Sequence, residues 1–167
     1  MADVTAYHQL GKFVVGFQAL EELLNEVIAL IARSDQESVQ ILTNELEFSK
    51  RLKAAEVLFA RFVGINTRDD GAATRDFHSV IVELYKLSER RNELVHSSYH
   101  EWRDVDGNSG LLRKHSKLRG SAGKREVTEE ALQPDDFNVD LERLDGAAVR
   151  LEAQRRTVIA WQYPDFP

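Results

Sequence analysis

Along the first fifth of the chain, Leu10, Phe13, Val14, Phe17, Leu20, Leu24, Val27 and Ile31 recur at steps of three and four. That is the spacing of one face of an α-helix. Leu23, Ile28 and Leu30 widen the stripe, and the pattern predicts a long helix from about Val4 to Arg33. A helix apolar over so much of its circumference calls for burial on two sides, and a second subunit is one candidate for the outer side. Gln18, Glu21, Glu22, Asn25 and Glu26 interrupt the run and exclude a membrane span.

Ser34-Asp35-Gln36-Glu37 has the form of a capping box, so a second helix is expected to start there, with Val39, Leu42 and Leu46 as a short apolar face. A third covers about Ser49 to Val63, with Leu52, Ala55, Phe59 and Phe62 on one side. Gly64 stands where a left-handed C-cap is wanted, and Gly64 to Ala73 reads as a loop. Thr74 is placed to cap a fourth helix, whose apolar positions are Phe77, Val80, Ile81, Leu84, Leu87, Leu94 and Val95.

After Ser98 the period changes. Tyr99 to Val105 is short and aromatic, and Asp106 to Gly110 is a strong turn signal. Tyr99 to Leu118 therefore reads as a small hairpin or an extended excursion, with Gly120 to Gly123 as a flexible tip. A last helix opens after Pro134, capped by Asp135 or Asp136 and lined by Phe137, Leu141, Leu144, Ala148, Leu151 and Val158. The tail from Tyr163 to Pro167 cannot be helical. The expectation is an all-α fold: one domain over residues 1–167, an up-and-down bundle of four or five helices, with residues 99–134 inserted before the last helix.

Composition narrows the picture. A chain of 167 residues suits one domain with a real core. It has no Cys, so there is no disulfide, thiolate metal site or Cys nucleophile. That fits a reducing compartment. The N-terminus lacks a basic region and a small-residue cleavage site, so a cytoplasmic location is expected, with no membrane contact. A net charge of −6 argues against a generic nucleic-acid binder. Yet the stretch from Arg113 to Arg125 holds six basic residues and no acid. Arg113, Lys114, Lys117 and Arg119 are its candidate RNA contacts; the alternative is a solvated loop. Tyr99 and Trp102 either stack on bases or belong to the core.

Familiar catalytic motifs are missing: no phosphate-binding glycine loop, no nucleophile elbow, no zinc-protease signature. His96 and His100 stand four apart, but His100 is expected beyond the helix end, so no metal or cofactor is anticipated. The informative segment is Arg91-Asn92-Glu93-Leu94-Val95-His96, near the end of the fourth helix. It resembles the Arg-x4-6-His signature of the HEPN superfamily, in which a polar residue often follows the Arg. The resemblance implies a dimeric helical bundle whose motif helices face one cleft. In active members that cleft is a metal-independent endoribonuclease site, often within a toxin–antitoxin or defence system. It implies RNA as substrate, a second copy of the chain, and an antitoxin or nucleotidyltransferase as possible partner. Some members continue to His-x-Tyr; here Tyr99 comes one residue later.

The chemistry suits these residues. RNA carries its own nucleophile, the 2′-OH. An imidazole titrates at about 6.5, so His96 can exchange protons at neutral pH. Arg91 stays charged and can stabilise phosphate oxygens in the transition state. Asn92, four residues before His96, shares its helical face and can orient the imidazole or the RNA. Arg91 sits about 140° around the helix from His96, so one helix makes no obvious pocket and two facing copies would. The same residues also admit a plainer reading. A His in the last turn interacts with the helix dipole, and Arg91 pairs with Glu89 or Glu93. The corresponding functional alternative is a catalytically inactive bundle that binds a protein or nucleotide through the same cleft.

Overall fold

The computed structural model describes residues 5–66 and 71–165. Val4, residues 67–70 of the expected loop, and Phe166 and Pro167 of the expected tail lie outside them. Five helices form: α1 (Ala6–Ala32), α2 (Gln36–Thr43), α3 (Phe48–Asn66), α4 (Ala72–Val95) and α5 (Asn138–Gln162). Between α4 and α5 stand three strands, β1 (Ser98–Arg103), β2 (Ser109–Arg119) and β3 (Lys124–Leu132). They pair as one antiparallel sheet in the order β1-β2-β3. The fold is therefore a helical bundle with a three-stranded sheet at one end, not the all-α bundle expected. Of the two expectations for Tyr99 to Leu118, the hairpin holds: β1 and β2 pair across the turn at residues 104–108, and β3 extends them to a meander, with a 3-10 turn at Gly120–Ala122 at the β2–β3 corner.

Helix boundaries follow local chemistry. Thr5 caps α1, its hydroxyl accepting from the His8 N–H, and Arg33 closes that helix in the left-handed region at φ 53°. Asp35, not Ser34, caps α2: its carboxylate accepts from the Ser38 N–H at 2.8 Å. Gly64 does not stop α3, which runs two residues further. α4 begins at Ala72, ahead of Thr74, after Gly71 at φ 89°. Gln133 and Asp136 form a reciprocal capping box at a 3-10 turn, Pro134–Phe137, that leads into α5.

The helices do not alternate up and down. Phe17 of α1 meets Phe48 at the start of α3, and Arg33 just past α1 bonds Asn66 at the end of α3. Those two helices run the same way. Gln9 meets Asn138, and Gln162 bonds the Leu30 carbonyl, so α5 is also parallel to α1. Of the four long helices only α4 runs against the others: Phe77 stacks on Phe59, Tyr85 bonds the Ser49 carbonyl, and Arg90 pairs with Asp140. The cause is α2. With its flanking turns it carries the chain back along α1, so α3 begins halfway down the bundle rather than at its end.

The core is continuous. Phe13, Phe17, Leu20 and Leu24 of α1 meet Leu52 and Phe59 of α3, Phe77, Leu84 and Leu87 of α4, and Leu144 and Leu151 of α5, all buried. Because α1 touches α2, α3, α4, α5 and β2, its broad apolar surface is taken up within its own chain. Gly16 permits the approach of α5, since a Cβ there would stand 2.6 Å from Leu144 Cδ2. Among the described residues no helix is long and apolar enough to cross a membrane.

Candidate functional site

The last turns of α4 carry Ser88, Arg91, Asn92 and, as C-cap, His96. Ser88, Asn92 and His96 stand at steps of four and share one stripe of the helix, with Arg91, three residues after Ser88, on its flank. The stripe faces Phe17 and Glu21 of α1 and the α2–α3 junction. Together they line a cleft of about 500 Å³, walled also by Leu46 to Ser49 and by Arg51. The mid-bundle start of α3 opens this cleft, because α3 does not continue beside α1 below Phe48.

Arg91, Asn92 and His96 thus share one cleft within a single chain. The 140° between the two backbone positions is bridged by the length of the Arg91 side chain. Its guanidinium lies over the Phe17 ring, 5.9 Å from the centroid, and Nη1 donates to Asn92 Oδ1 at 3.2 Å. Among the described residues Arg91 forms no ion pair, and Glu93 is instead engaged by Lys117 at 3.2 Å. His96 is exposed, and its N–H closes the helix on the Asn92 carbonyl at 3.0 Å.

Sequence reasoning missed Arg51 and Glu21. Arg51 lies over Phe48, 5.6 Å from that centroid, and Phe48 stands edge-on to Phe17 at 5.1 Å. Arg51 Nη2 reaches Glu21 Oε2 at 3.4 Å. On the sequence Arg51 is an ordinary cation of an amphipathic helix. The only local hint is its spacing of three from Phe48.

Behind the cleft the sheet clamps the end of α4. Arg113 of β2 is buried, 4% exposed, and its Nε pairs with Glu130 Oε2 at 2.7 Å. Its Nη1 donates to the Glu93 carbonyl and to Ser97 Oγ, each at 3.3 Å. Tyr99 donates its hydroxyl to the Leu94 carbonyl at 2.7 Å. These donors satisfy carbonyls that a helix end leaves without partners. Arg90 joins the network, with Nε on Asp140 at 2.7 Å and Nη1 on Glu130 at 3.1 Å. Burial works against charge on both Arg90 and Glu130. Their mutual hydrogen bonds and attraction prevail, holding the Arg90 guanidinium above its ordinary value and the Glu130 carboxyl below. Burial also pushes the Tyr99 phenol up.

The basic stretch is not the uncompensated patch that its sequence suggests. Lys114 pairs with Glu129 at 2.8 Å, Lys117 with Glu93, and Arg119 with Glu126 at 2.9 Å. Arg113 is withdrawn into the clamp altogether, so it is a structural cation and not a surface contact. Lys114, Lys117 and Arg119 keep solvent-facing side chains. His100 lies on β1, past the helix end. Among the described residues no group of three His, Asp or Glu is placed to hold a metal. Tyr99 packs against the core, and Trp102 lies half-buried over Gly110, where a Cβ would come within 2.9 Å of its ring. No protein-family model, curated protein or solved structure matches the chain.

Proposed function

We propose that the chain is a HEPN-like, metal-independent endoribonuclease whose site is the cleft lined by Arg91, Asn92 and His96. One observation carries the reading: the His96 imidazole and the Arg91 guanidinium, which has no carboxylate partner among the described residues, line the same cleft, with Asn92 hydrogen-bonded to that guanidinium. In the proposed reaction a base takes the 2′-OH proton and O2′ attacks the adjacent phosphorus. The 5′-oxygen leaves with a proton, giving a 2′,3′-cyclic phosphate and a 5′-OH end. His96 serves one of the two proton transfers. Arg91 stabilises the phosphate oxygens, and Asn92 fixes Arg91.

A second imidazole is needed for the other transfer, and a two-fold copy of the chain supplies it in this reading. Exposed apolar side chains beside the cleft support such packing. Ile41 and Leu42 on the outer side of α2 are 71% and 76% exposed, and Leu46 just beyond them lines the cleft. Lys114, Lys117 and Arg119, on β2, extend the RNA contact. A toxin–antitoxin or defence role follows from the family reading, with an antitoxin or nucleotidyltransferase as partner and the cytoplasm as site of action.

The test is incubation of purified protein with total RNA in EDTA beside His96→Ala. Cleavage that persists in EDTA and disappears in the variant is expected. Intact RNA with the wild-type protein, at concentrations where RNA is bound, would overturn the nuclease reading in favour of an inactive binding module.

A further inference from the structure

We propose that Arg51 is a second phosphate ligand of this cleft, and that Glu21 is an internal anion which holds its place until an RNA strand enters. The proposal rests on the reading of the cleft as an RNA site and names a residue and a competitor within it.

The Arg51–Glu21 contact is weak by the standards of this molecule. The buried arginine clamps close on carboxylates at 2.7 Å, from Arg90 to Asp140 and from Arg113 to Glu130. Arg51 reaches Glu21 through one nitrogen at 3.4 Å, though both side chains are well buried, at 14% and 16% exposure. Charge-assisted bonds between such groups ordinarily measure about 2.7–2.9 Å. The Nε–H of Arg51 is buried and meets no protein acceptor among the described residues. A withdrawn donor without an acceptor is costly. Arg51 therefore has a vacant fork: one arm loosely held, the other unused.

Orientation makes the fork useful. Arg51 lies over Phe48 and Arg91 over Phe17, and the two rings touch edge to face. The aromatic pair is a common platform that holds both guanidiniums at one cleft. Stacking on an aromatic face leaves the planar edge of a guanidinium available for phosphate oxygens. The cleft thus presents two cations, Arg51 and Arg91, against the loosely held carboxylate of Glu21. Glu47 also lines it, but that residue is exposed, and its backbone carbonyl rather than its carboxylate engages the first turn of α3. A phosphodiester in the cleft takes the Nη edge of Arg51 in place of Glu21, which is released to water, and the freed guanidinium can then turn its buried Nε–H toward the second phosphate oxygen. Arg91 and Arg51 would then hold the strand together, with Arg91 on the phosphate beside His96.

The experiment measures binding apart from cleavage. A fluorescein-labelled 2′-fluoro RNA strand keeps every phosphate and lacks the nucleophile. Its affinity for the full chain is read by anisotropy in EDTA across a salt series. Arg51→Gln should weaken binding about tenfold or more, and should reduce the salt slope by about 0.7, the share of one phosphate on a single strand. Glu21→Gln should tighten binding about two- to fivefold, the scale of a weak ion pair removed as competitor. In the Arg51→Gln background Glu21→Gln should bring no tightening, a coupling that a purely structural role would not produce. If Arg51→Gln fails to fold, the gain in Glu21→Gln alone still decides. Affinity and slope unchanged in both variants overturn the proposal, and so does a wild-type protein that does not bind the strand. Cleavage of natural RNA by variants that bind like wild type would remove Arg51 and leave the nuclease standing. Binding that follows the predicted pattern without cleavage would keep Arg51 and remove the nuclease.

Discussion

Replacing Arg113 by Met distinguishes a clamp from an RNA contact. Met fills much of the volume of the aliphatic stem and removes the charge. Three interactions go: the 2.7 Å pair with Glu130 and the two 3.3 Å bonds to the Glu93 carbonyl and Ser97 Oγ. Removing one partner of a buried ion pair costs about 3–5 kcal/mol. Here the cost is reduced, because Glu130 keeps Arg90 at 3.1 Å and its side chain is 35% exposed. The Glu93 carbonyl retains the Ser97 hydroxyl at 2.5 Å. We expect a net loss of about 2–3 kcal/mol, which for a domain of this size lowers Tm by about 4–12 °C. Thermal unfolding followed by circular dichroism at neutral pH measures it. Lys117→Met and Arg119→Met are the controls, since their side chains are 58% and 62% exposed. Each should change stability by about 0.5 kcal/mol or less. An Arg113→Met protein melting within about 2 °C of wild type, with RNA affinity reduced as in Lys117→Met, would refute the clamp and return Arg113 to the surface patch.

Arg91→Ala and His96→Ala should abolish EDTA-resistant cleavage with little change in Tm, because both face a cleft, whereas fully buried Leu94→Ala should cost about 2–5 kcal/mol. The Glu130 carboxyl, disfavoured by burial yet held below its ordinary value by Arg90 and Arg113, should make stability fall in acid. Its contribution is complete above the unfolded carboxyl value of about 4.3 and is lost as pH falls through the lower folded value. Urea midpoints from about pH 6 to 3 should therefore drop more steeply for wild type than for Glu130→Gln. Neutralising Lys114, Lys117 and Arg119 together should weaken RNA binding and flatten its salt dependence while the far-ultraviolet spectrum stays native; an unchanged salt series would reduce them to partners of Glu129, Glu93 and Glu126.

Much of the bundle was legible because each long helix buries one face at a period of 3.6. Phe13, Phe17 and Leu24, or Phe77, Leu84 and Leu87, announce themselves by spacing alone. Helix direction was not legible in the same way. Whether α3 runs with or against α1 depends on how far residues 33–47 travel back, and no local pattern encodes that distance. The α4 residues of the site were visible in the sequence, but not that one chain would bring them to one cleft, since Arg91 and His96 stand about 140° apart on the helix. Arg51 and Glu21 were not visible, since their relation to Arg91 and His96 exists only once α1 and α3 lie side by side. The plainer expectation that Arg91 pairs with a neighbouring acid fails for a related reason: Glu93 turns to Lys117 on β2, and Arg91 rests on an aromatic ring instead.

The β1–β2 hairpin was legible from its aromatic run and turn signal, but the third strand was not, because the outer part of the sheet buries neither face. From Ser116 through Val127 every residue is exposed, so no apolar alternation marks the strands. The inward position of β2 that would ordinarily be apolar is Arg113, buried only because Glu130 stands opposite it. Charge nevertheless carried the register. Around the turn at Gly120–Ala122, Arg113 faces Glu130, Lys114 faces Glu129 and Lys117 faces Glu126. A basic run and an acidic run, placed symmetrically about a glycine-rich corner, stabilise one antiparallel pairing and penalise a slipped one. The basic residues of β2 and the acids Glu126, Glu129 and Glu130 of β3 are thus opposite arms of one hairpin, while Lys124 and Arg125 carry the positive stretch past the corner onto β3, where Lys124 faces Arg119. Reading either half alone turns a structural pairing into an apparent nucleic-acid patch. Reading them together leaves Arg113 as the cation that fastens the hairpin to the end of the motif helix.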